Sequence, residues 1–140
     1  MHILKIKTKN REIGTLGERI AKSKLRRKGY KCVSKSFVAE GHEIDLIMES
    51  RDTRIYVEVK TRTVGASNPY DLRPADAVNR EKMRGIITAA KIYAAYHPTE
   101  LYQRFDVVEV YLDDRRRLTD FQHLEGAFTL DSIKKNYTRR

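Results

Sequence analysis

The sequence predicts an α/β (α+β) fold, a mixed β-sheet flanked by helices, and three features of its hydrophobic pattern carry that expectation. Apolar residues recur at helical spacing near the start of the chain and again in its second half. Between those stretches, two segments alternate apolar and polar residues across a short polar connection, and two more strand-like segments follow the second helix. A chain of 140 residues that is 40% hydrophobic is large enough for one real core. Residues 1–140 are therefore read as a single domain, with the charged stretch 131–140 as a basic tail that frays.

The first helix is expected over residues 11–29, where Ile13, Leu16, Ile20 and Ala21 share one side, Lys and Arg fill the other, and Gly29 is a stop signal. A strand follows over 30–38, with Cys32 packing inward. In the strand 42–48, Ile44, Leu46 and Met48 fall on one face and Glu43, Asp45 and Ile47 on the other. In the strand 54–62, Ile55, Val57 and Val59 oppose Tyr56, Glu58 and Lys60. The connection at 49–53 is short and polar, which predicts an antiparallel hairpin. Residues 63–73, with Gly65, Ser67, Asn68 and Pro69, read as a loop. From Pro74, suited to a first helical turn, a second helix runs to about residue 96 with Ala77, Val78, Ile86, Ala89, Ala90 and Tyr93 as its apolar positions. Strands at 105–112 and 118–124 complete the order helix, three strands, helix, two strands.

Composition narrows the function. No stretch reaches the roughly 18 uncharged apolar residues of a membrane span, and the first ten residues lack the apolar region of a secretory signal. One cysteine excludes an internal disulfide and a cysteine-based zinc site. A cytoplasmic protein with no membrane partner is expected. Lys+Arg number 29 against 19 Asp+Glu, a net charge of +10. Such an excess attracts polyanions, and the phosphate backbone of nucleic acid is the commonest large one; a basic but merely solvated surface is the alternative.

The segment Tyr56-Val57-Glu58-Val59-Lys60 places an acid and a base on one face of a half-buried strand. Charges there carry a large desolvation cost unless they are paired or bind a metal. If the hairpin brings Asp45 beside Glu58, two carboxylates converge next to a lysine. Paired carboxylates bind a hard divalent ion such as Mg²⁺ or Mn²⁺, and a lysine can position a nucleophile or stabilise developing charge. The plainer reading is a cross-strand ion pair of Lys60 with Asp45 or Glu43. Glu18 borders the buried row Glu18, Ala21, Leu25 of the first helix, and Gly14 and Gly17 would allow that helix close to the sheet, so a third acid can lean over the pair. Its plainer reading is an acid favourable to the helix dipole.

Taken in order, several segments carry a family resemblance: Arg11…Gly14-x-x-Gly17-Glu18-x-x-Ala21…Leu25…Gly29-Tyr30, Glu43-Ile44-Asp45-Leu46-Ile47, Val57-Glu58-Val59-Lys60-Thr61-Arg62, Ala77-Val78…Lys82…Ala89-Ala90…Tyr93, Arg104-Phe105-Asp106-Val107-Val108 and His123…Ala127-Phe128. Together they resemble the PD-(D/E)xK nuclease superfamily, and within it the uncharacterised bacterial YraN-type family, similar in fold to archaeal Holliday-junction resolvases. The resemblance implies an αβββαβ, restriction-endonuclease-like core. It implies catalytic roles for Glu18, Asp45, Glu58 and Lys60, with Lys82 as an auxiliary group near the scissile phosphate. It implies metal ligation of Mg²⁺ or Mn²⁺ by Asp45, Glu58 and the Val59 carbonyl, assisted by Glu18. The chain departs from the family at His42, where glycine is usual, with Gly41 one position earlier, and at Lys35-Ser36, where Arg-Asn is usual.

The expectation is thus a Mg²⁺- or Mn²⁺-dependent endonuclease acting on nucleic acid, DNA first and branched or repair intermediates within that. The alternative is a non-catalytic nucleic-acid-binding module on the same fold; a basic accessory protein for a protein partner is a third. By analogy with resolvases, a symmetric junction substrate would ask for a homodimer. Arg62, Arg73, Arg80, Arg84, Lys24 and Arg27 are the expected phosphate contacts, with Tyr70 placed to stack on a base or to pack. His42 reads as a strand-edge histidine, Glu43 as a partner of a nearby cation or a further site acid, and Asp106 as a group that orients Arg104 or a helix end. His2, His97 and His123 show no ligand spacing.

Overall fold

A computed structural model describes residues 2–64 and 80–129, with side chains from Lys9 onward. The expected loop and helix start within 65–79, including Tyr70, Arg73, Pro74, Ala77 and Val78, and the tail at 131–140 lie outside the described residues. The elements are α1 (His2–Arg27), β1 (Lys31–Ala39), β2 (His42–Glu49), β3 (Thr53–Thr63), α2 (Arg80–Tyr96), β4 (Tyr102–Leu112) and β5 (Leu118–Phe128). The five strands form one sheet in the order β1-β2-β3-β4-β5. β3 and β4 are parallel; the other neighbours are antiparallel. The expected mixed sheet with helices is what forms. No helix among the described residues is long and apolar enough to cross a membrane.

Local chemistry accounts for the joints. α1 begins nine residues before the expected start and stops at Arg27, where Gly29 takes φ 98. Gly29 N–H donates to the Arg26 carbonyl and Tyr30 N–H to the Leu25 carbonyl, the paired bonds of a Schellman stop. β1 and β2 are joined by Glu40 and Gly41, both at positive φ (51 and 75), the two-residue turn whose twist matches a hairpin. Ser36, at φ 51, holds a left-handed conformation that asparagine tolerates better. The strands at 102–112 and 118–128 each run longer than the periodicity suggests.

Alternation along β3 sends its side chains to two cores. Ile55 and Val57 join Ala21, Leu25, Leu46, Met48, Val108, Val110 and Leu112 on the α1 side. Tyr56 joins Ile44, Ile47, Ile86, Ala89, Ala90, Tyr93, Val107 and Phe128 on the α2 side. Full burial of a side chain such as Leu25 or Ile55 contributes about 1.5–3 kcal/mol, so these clusters hold both helices on the sheet. One expectation fails: Ile44 does not share a face with Leu46 and Met48 but packs with Ile47 under α2. Strict alternation requires a continuous ladder, and β2 is bonded to β3 only from Leu46 to Glu49.

Asp106, fully buried on β4, ties the far side of the sheet together. Its carboxylate accepts from Arg104 Nε (2.8 Å) and Nη2 (2.9 Å), from the Gly126 N–H (3.0 Å) and from His123 Nε2 (2.7 Å). Arg104 Nη2 also reaches the Tyr30 hydroxyl just past α1, and Lys28 Nζ lies 2.9 Å from His123 Nδ1. Asp106 orients Arg104, as expected from sequence, and His123 is part of the same network. Burial alone would raise the Asp106 pKa, but the bonds from Arg104, His123 and Gly126 outweigh it and hold the carboxyl below the usual range.

Asp106→Asn should therefore cost about 3–5 kcal/mol in denaturant titrations, because it removes the fully buried charge to which Arg104 and His123 are bonded. The depressed pKa sets the pH sense. Asp106 stabilises the fold fully above its unfolded pKa of about 3.9, and that contribution disappears as pH falls through the lower folded value. A mutant as acid-sensitive as the wild type would refute this.

Candidate active site

The β2–β3 ladder runs from Glu49↔Arg54 to Leu46↔Val57. One step further, Asp45 would stand opposite Glu58, and there the strands part. The Val59 N–H on β3 therefore has no β2 carbonyl in the ladder, and Asp45 Oδ2 accepts it instead at 2.8 Å. A carboxylate thus takes a backbone position in the sheet, beside the outward turn of Glu58.

Glu58 is 4% exposed. Two lysines reach the same oxygen, Oε1: Lys82 Nζ from α2 at 2.6 Å and Lys60 Nζ from its own strand at 3.1 Å. The ion pair that sequence allowed between Lys60 and Asp45 or Glu43 is thus made with Glu58. Glu18 arrives on α1, which can lie against β3 because Gly17 has no side chain: a Cβ there would overlap Thr61. Gly14, where a Cβ would meet nothing within 4 Å, lines the cavity instead of mediating contact. On the other side Gly85 of α2 makes room for the His42 ring, which a Cβ would strike. His42 starts β2 and is exposed, as expected.

Glu18, Asp45, Glu58, Val59, Lys60 and Lys82 thereby line one open cavity of about 550 Å³, together with Arg62. A smaller cavity of about 220 Å³ reaches Asp45, Glu58 and Lys82 from the α2 side, past His42 and Glu43. The acids perturb one another. Burial, then Glu58, push the Asp45 carboxyl up to about 7 against the Val59 bond. Burial, then Glu43 and Glu58, raise Glu18, with Lys35 opposing. Burial and the adjacent Lys82 lower Lys60, whereas for Lys82 the bond to Glu58 overcomes burial and raises it.

The expected phosphate contacts divide. Arg62 lines the main cavity. Arg80 and Arg84 are exposed on the first turns of α2, near Lys82 in sequence. Lys24 lies 6.0 Å from the Phe121 ring, and Arg27 is exposed at the end of α1; neither lines the site cavities. Arg73 lies outside the described residues. Among the described residues, no three side chains of His, Cys, Asp or Glu stand together as a ready metal cage. The side-chain oxygen donors at the centre are those of Asp45 and Glu58, with Glu18 contributed from α1. The sequence pointed to all of these; the His42–Gly85 contact and the junction of both lysines on one oxygen had no signal in it.

Comparison with known proteins places these residues in a recurring chain. A model of the Uncharacterised protein family UPF0102 matches residues 17–110, which include Glu18, Asp45, Glu58, Lys60 and Lys82. A UPF0102 protein of Caldanaerobacter subterraneus subsp. tengcongensis is 39% identical, over 87% of this chain and 98% of its own. One of Clostridium acetobutylicum is 35% identical over 86% and 97%, and one of Parabacteroides distasonis 36% over 84% and 92%.

Two outcomes follow from this geometry. Gly17→Ala should cost about 1–3 kcal/mol through overpacking against Thr61, and a cycle with Thr61→Gly should show coupling of about 0.5–3 kcal/mol; additive effects would place the helix elsewhere. The raised Asp45 pKa means that the folded state holds a proton the unfolded chain has lost, so stability falls as pH rises from about 4 toward about 7. Asp45→Asn, which can still accept the Val59 N–H, should make the metal-free protein more stable than wild type at pH 8. That gain should vanish near the unfolded carboxylate pKa of about 3.9.

Proposed function

Because the chain belongs to the uncharacterised protein family UPF0102, whose name assigns no activity, its function must be argued from its site. We propose that it is a metal-dependent nuclease of the PD-(D/E)xK kind, hydrolysing phosphodiester bonds in nucleic acid, DNA foremost. One observation carries the reading: Asp45 and Glu58 converge with Lys60 and Lys82 where β2 leaves β3, on the floor of an open cavity. An ion pair built for stability alone would not leave two lysines and a neighbouring acid, its pKa lifted to about 7, facing open space.

The donor set fits Mg²⁺ or Mn²⁺. All its ligating atoms are oxygens, and a divalent cation would relieve the repulsion by which neighbouring carboxylates raise the Asp45 pKa. Asp45, Glu58 and the Val59 carbonyl would hold the ion, with Glu18 assisting. Such an ion polarises a phosphoryl oxygen and lowers the pKa of bound water.

The chain's own groups do the rest. The Val59 N–H fixes the Asp45 carboxylate, so its orientation is set before substrate arrives. Lys60, half-buried beside Glu58, is placed to orient the attacking water or to stabilise charge on the phosphorane. Lys82, from the facing helix, offers its ammonium to the phosphate when Glu58 is otherwise engaged. The basic surface, with a net charge of +10, draws the polyanion to the cavity. A homodimer acting on two strands of a branched substrate would suit the same chemistry.

The test is cleavage of end-labelled linear, flapped and four-way-junction DNA with Mg²⁺, Mn²⁺ or EDTA. Metal-dependent cutting should fall by about 10²-fold or more in Glu58→Ala and Lys60→Ala proteins that remain folded. Salt-sensitive binding without any cutting, unaffected by either substitution, would replace the nuclease with a nucleic-acid-binding module.

A further inference from the structure

A second concavity opens on the other side of Glu18. It encloses about 270 Å³ and is lined by Thr15, Glu18, Arg19, Lys22, Lys35, Ser36 and Leu46. Glu18 borders both this groove and the main cavity, so the two are neighbours across that side chain. Thr15, Arg19 and Lys22 follow one another at helical spacing along α1, and Lys35 with Ser36 forms the opposite wall on β1. The wall formed by α1 is about 10 Å long at 1.5 Å per residue.

What distinguishes the charges here is that they gather on one groove. Arg54, Lys60, Lys82, Arg104, Arg116 and Arg117 each meet a carboxylate within salt-bridge distance. Among the described residues, Arg19, Lys22 and Lys35 form no salt bridge, yet they converge on one groove, with Glu18 at its threshold toward the main cavity. Three like charges gathered in a concave surface repel one another, and an anion threaded between them removes that cost. The opposite approach to Asp45 and Glu58, past Gly41, His42 and Glu43, brings a further acid and one cation, Lys82, which is already paired with Glu58. The two approaches are therefore electrostatically unequal.

We propose that the α1–β1 groove binds the sugar–phosphate backbone of the nucleic-acid strand next to the bond at Asp45 and Glu58. Arg19, Lys22 and Lys35 contact its phosphates and Thr15 and Ser36 supply hydroxyls. Among the described residues no aromatic side chain lines the groove, so it reads backbone and not bases, and it fixes the side from which the strand enters. This assignment rests on the nuclease reading for its direction, and its test is separable from it.

The experiment measures fluorescence anisotropy of short labelled single-stranded and duplex DNA in EDTA, where no cutting occurs, over a series of salt concentrations. The triple substitution Arg19→Gln/Lys22→Gln/Lys35→Gln is compared with Lys31→Gln/Arg51→Gln/Lys91→Gln, which removes the same charge from residues outside the groove. The groove variant should bind about tenfold or more weakly at low salt, and its log–log salt slope should drop by about 2 to 3. The control should stay within a few-fold of wild type. Equal losses in both, or no DNA binding by wild type, would overturn the groove. The single charge reversal Lys35→Glu, on an exposed strand position, gives the same readout if the triple variant melts early. Groove-dependent binding without metal-dependent cleavage would retire the nuclease and keep the groove; cleavage with unchanged affinity in the groove variant would do the reverse.

Discussion

Because β2 pairs with β3 only from Leu46 onward, a backbone N–H at Val59 is stripped of its ladder partner in a half-buried sheet. Left unmet, such a donor costs about 1–3 kcal/mol. Asp45 meets it with a carboxylate oxygen at 2.8 Å, and much of the molecule's chemistry depends on that substitution of a side chain for a strand. It holds a carboxyl group where solvent is scarce, beside a second one on Glu58. It also keeps the strands apart, which is what makes a cavity there and not a continuous sheet.

The helices then close on this opening by different devices. α1 comes down on β3 at Gly17, against Thr61, and delivers Glu18; α2 comes down at Gly85, over His42, and delivers Lys82. Each approach needs a residue without a side chain beside the residue that matters. The electrostatic result is four acids, Glu18, Glu43, Asp45 and Glu58, answered by Lys60 and Lys82, with Asp45 lifted to about 7 by burial and by its neighbours. The raised Asp45 pKa lowers stability locally as pH climbs past the ordinary carboxylate range.

The network on β4 and β5 at the end of α1 is arranged for rigidity. Asp106 gathers Arg104, His123 and the Gly126 N–H, and Arg104 reaches on to Tyr30 where α1 ends. One buried carboxylate, fully bonded, anchors β4, β5 and the helix that carries Glu18. The contrast between Asp106, held well charged, and Asp45, held reluctant to ionise, separates scaffold from site more clearly than burial does. The excess of positive charge is likewise divided: part is consumed in ion pairs, and part is gathered in the groove beside Glu18.

Local information in the sequence was enough for the element types and for the face shared by Glu58 and Lys60, because a period of two residues or of 3.6 is written in neighbouring side chains. It also marked Glu18 as an acid bordering the buried side of its helix, Gly14 and Gly17 as places of close approach, of which Gly17 alone meets the sheet, and Asp106 as a group orienting Arg104 or a helix end. What it could not specify were events between distant segments. The break in alternation at Ile44, the β2–β3 parting and the Asp45–Val59 bond depend on where a ladder stops, which no local period encodes. His123 finding Asp106, both lysines meeting on one oxygen of Glu58, and the groove assembled from α1 and β1 join residues far apart in the chain. Residue chemistry and local geometry were thus settled by sequence, while the convergence of charges, and hence their pKa values, was decided by tertiary packing, since electrostatic energy depends on separation and burial and not on position along the chain.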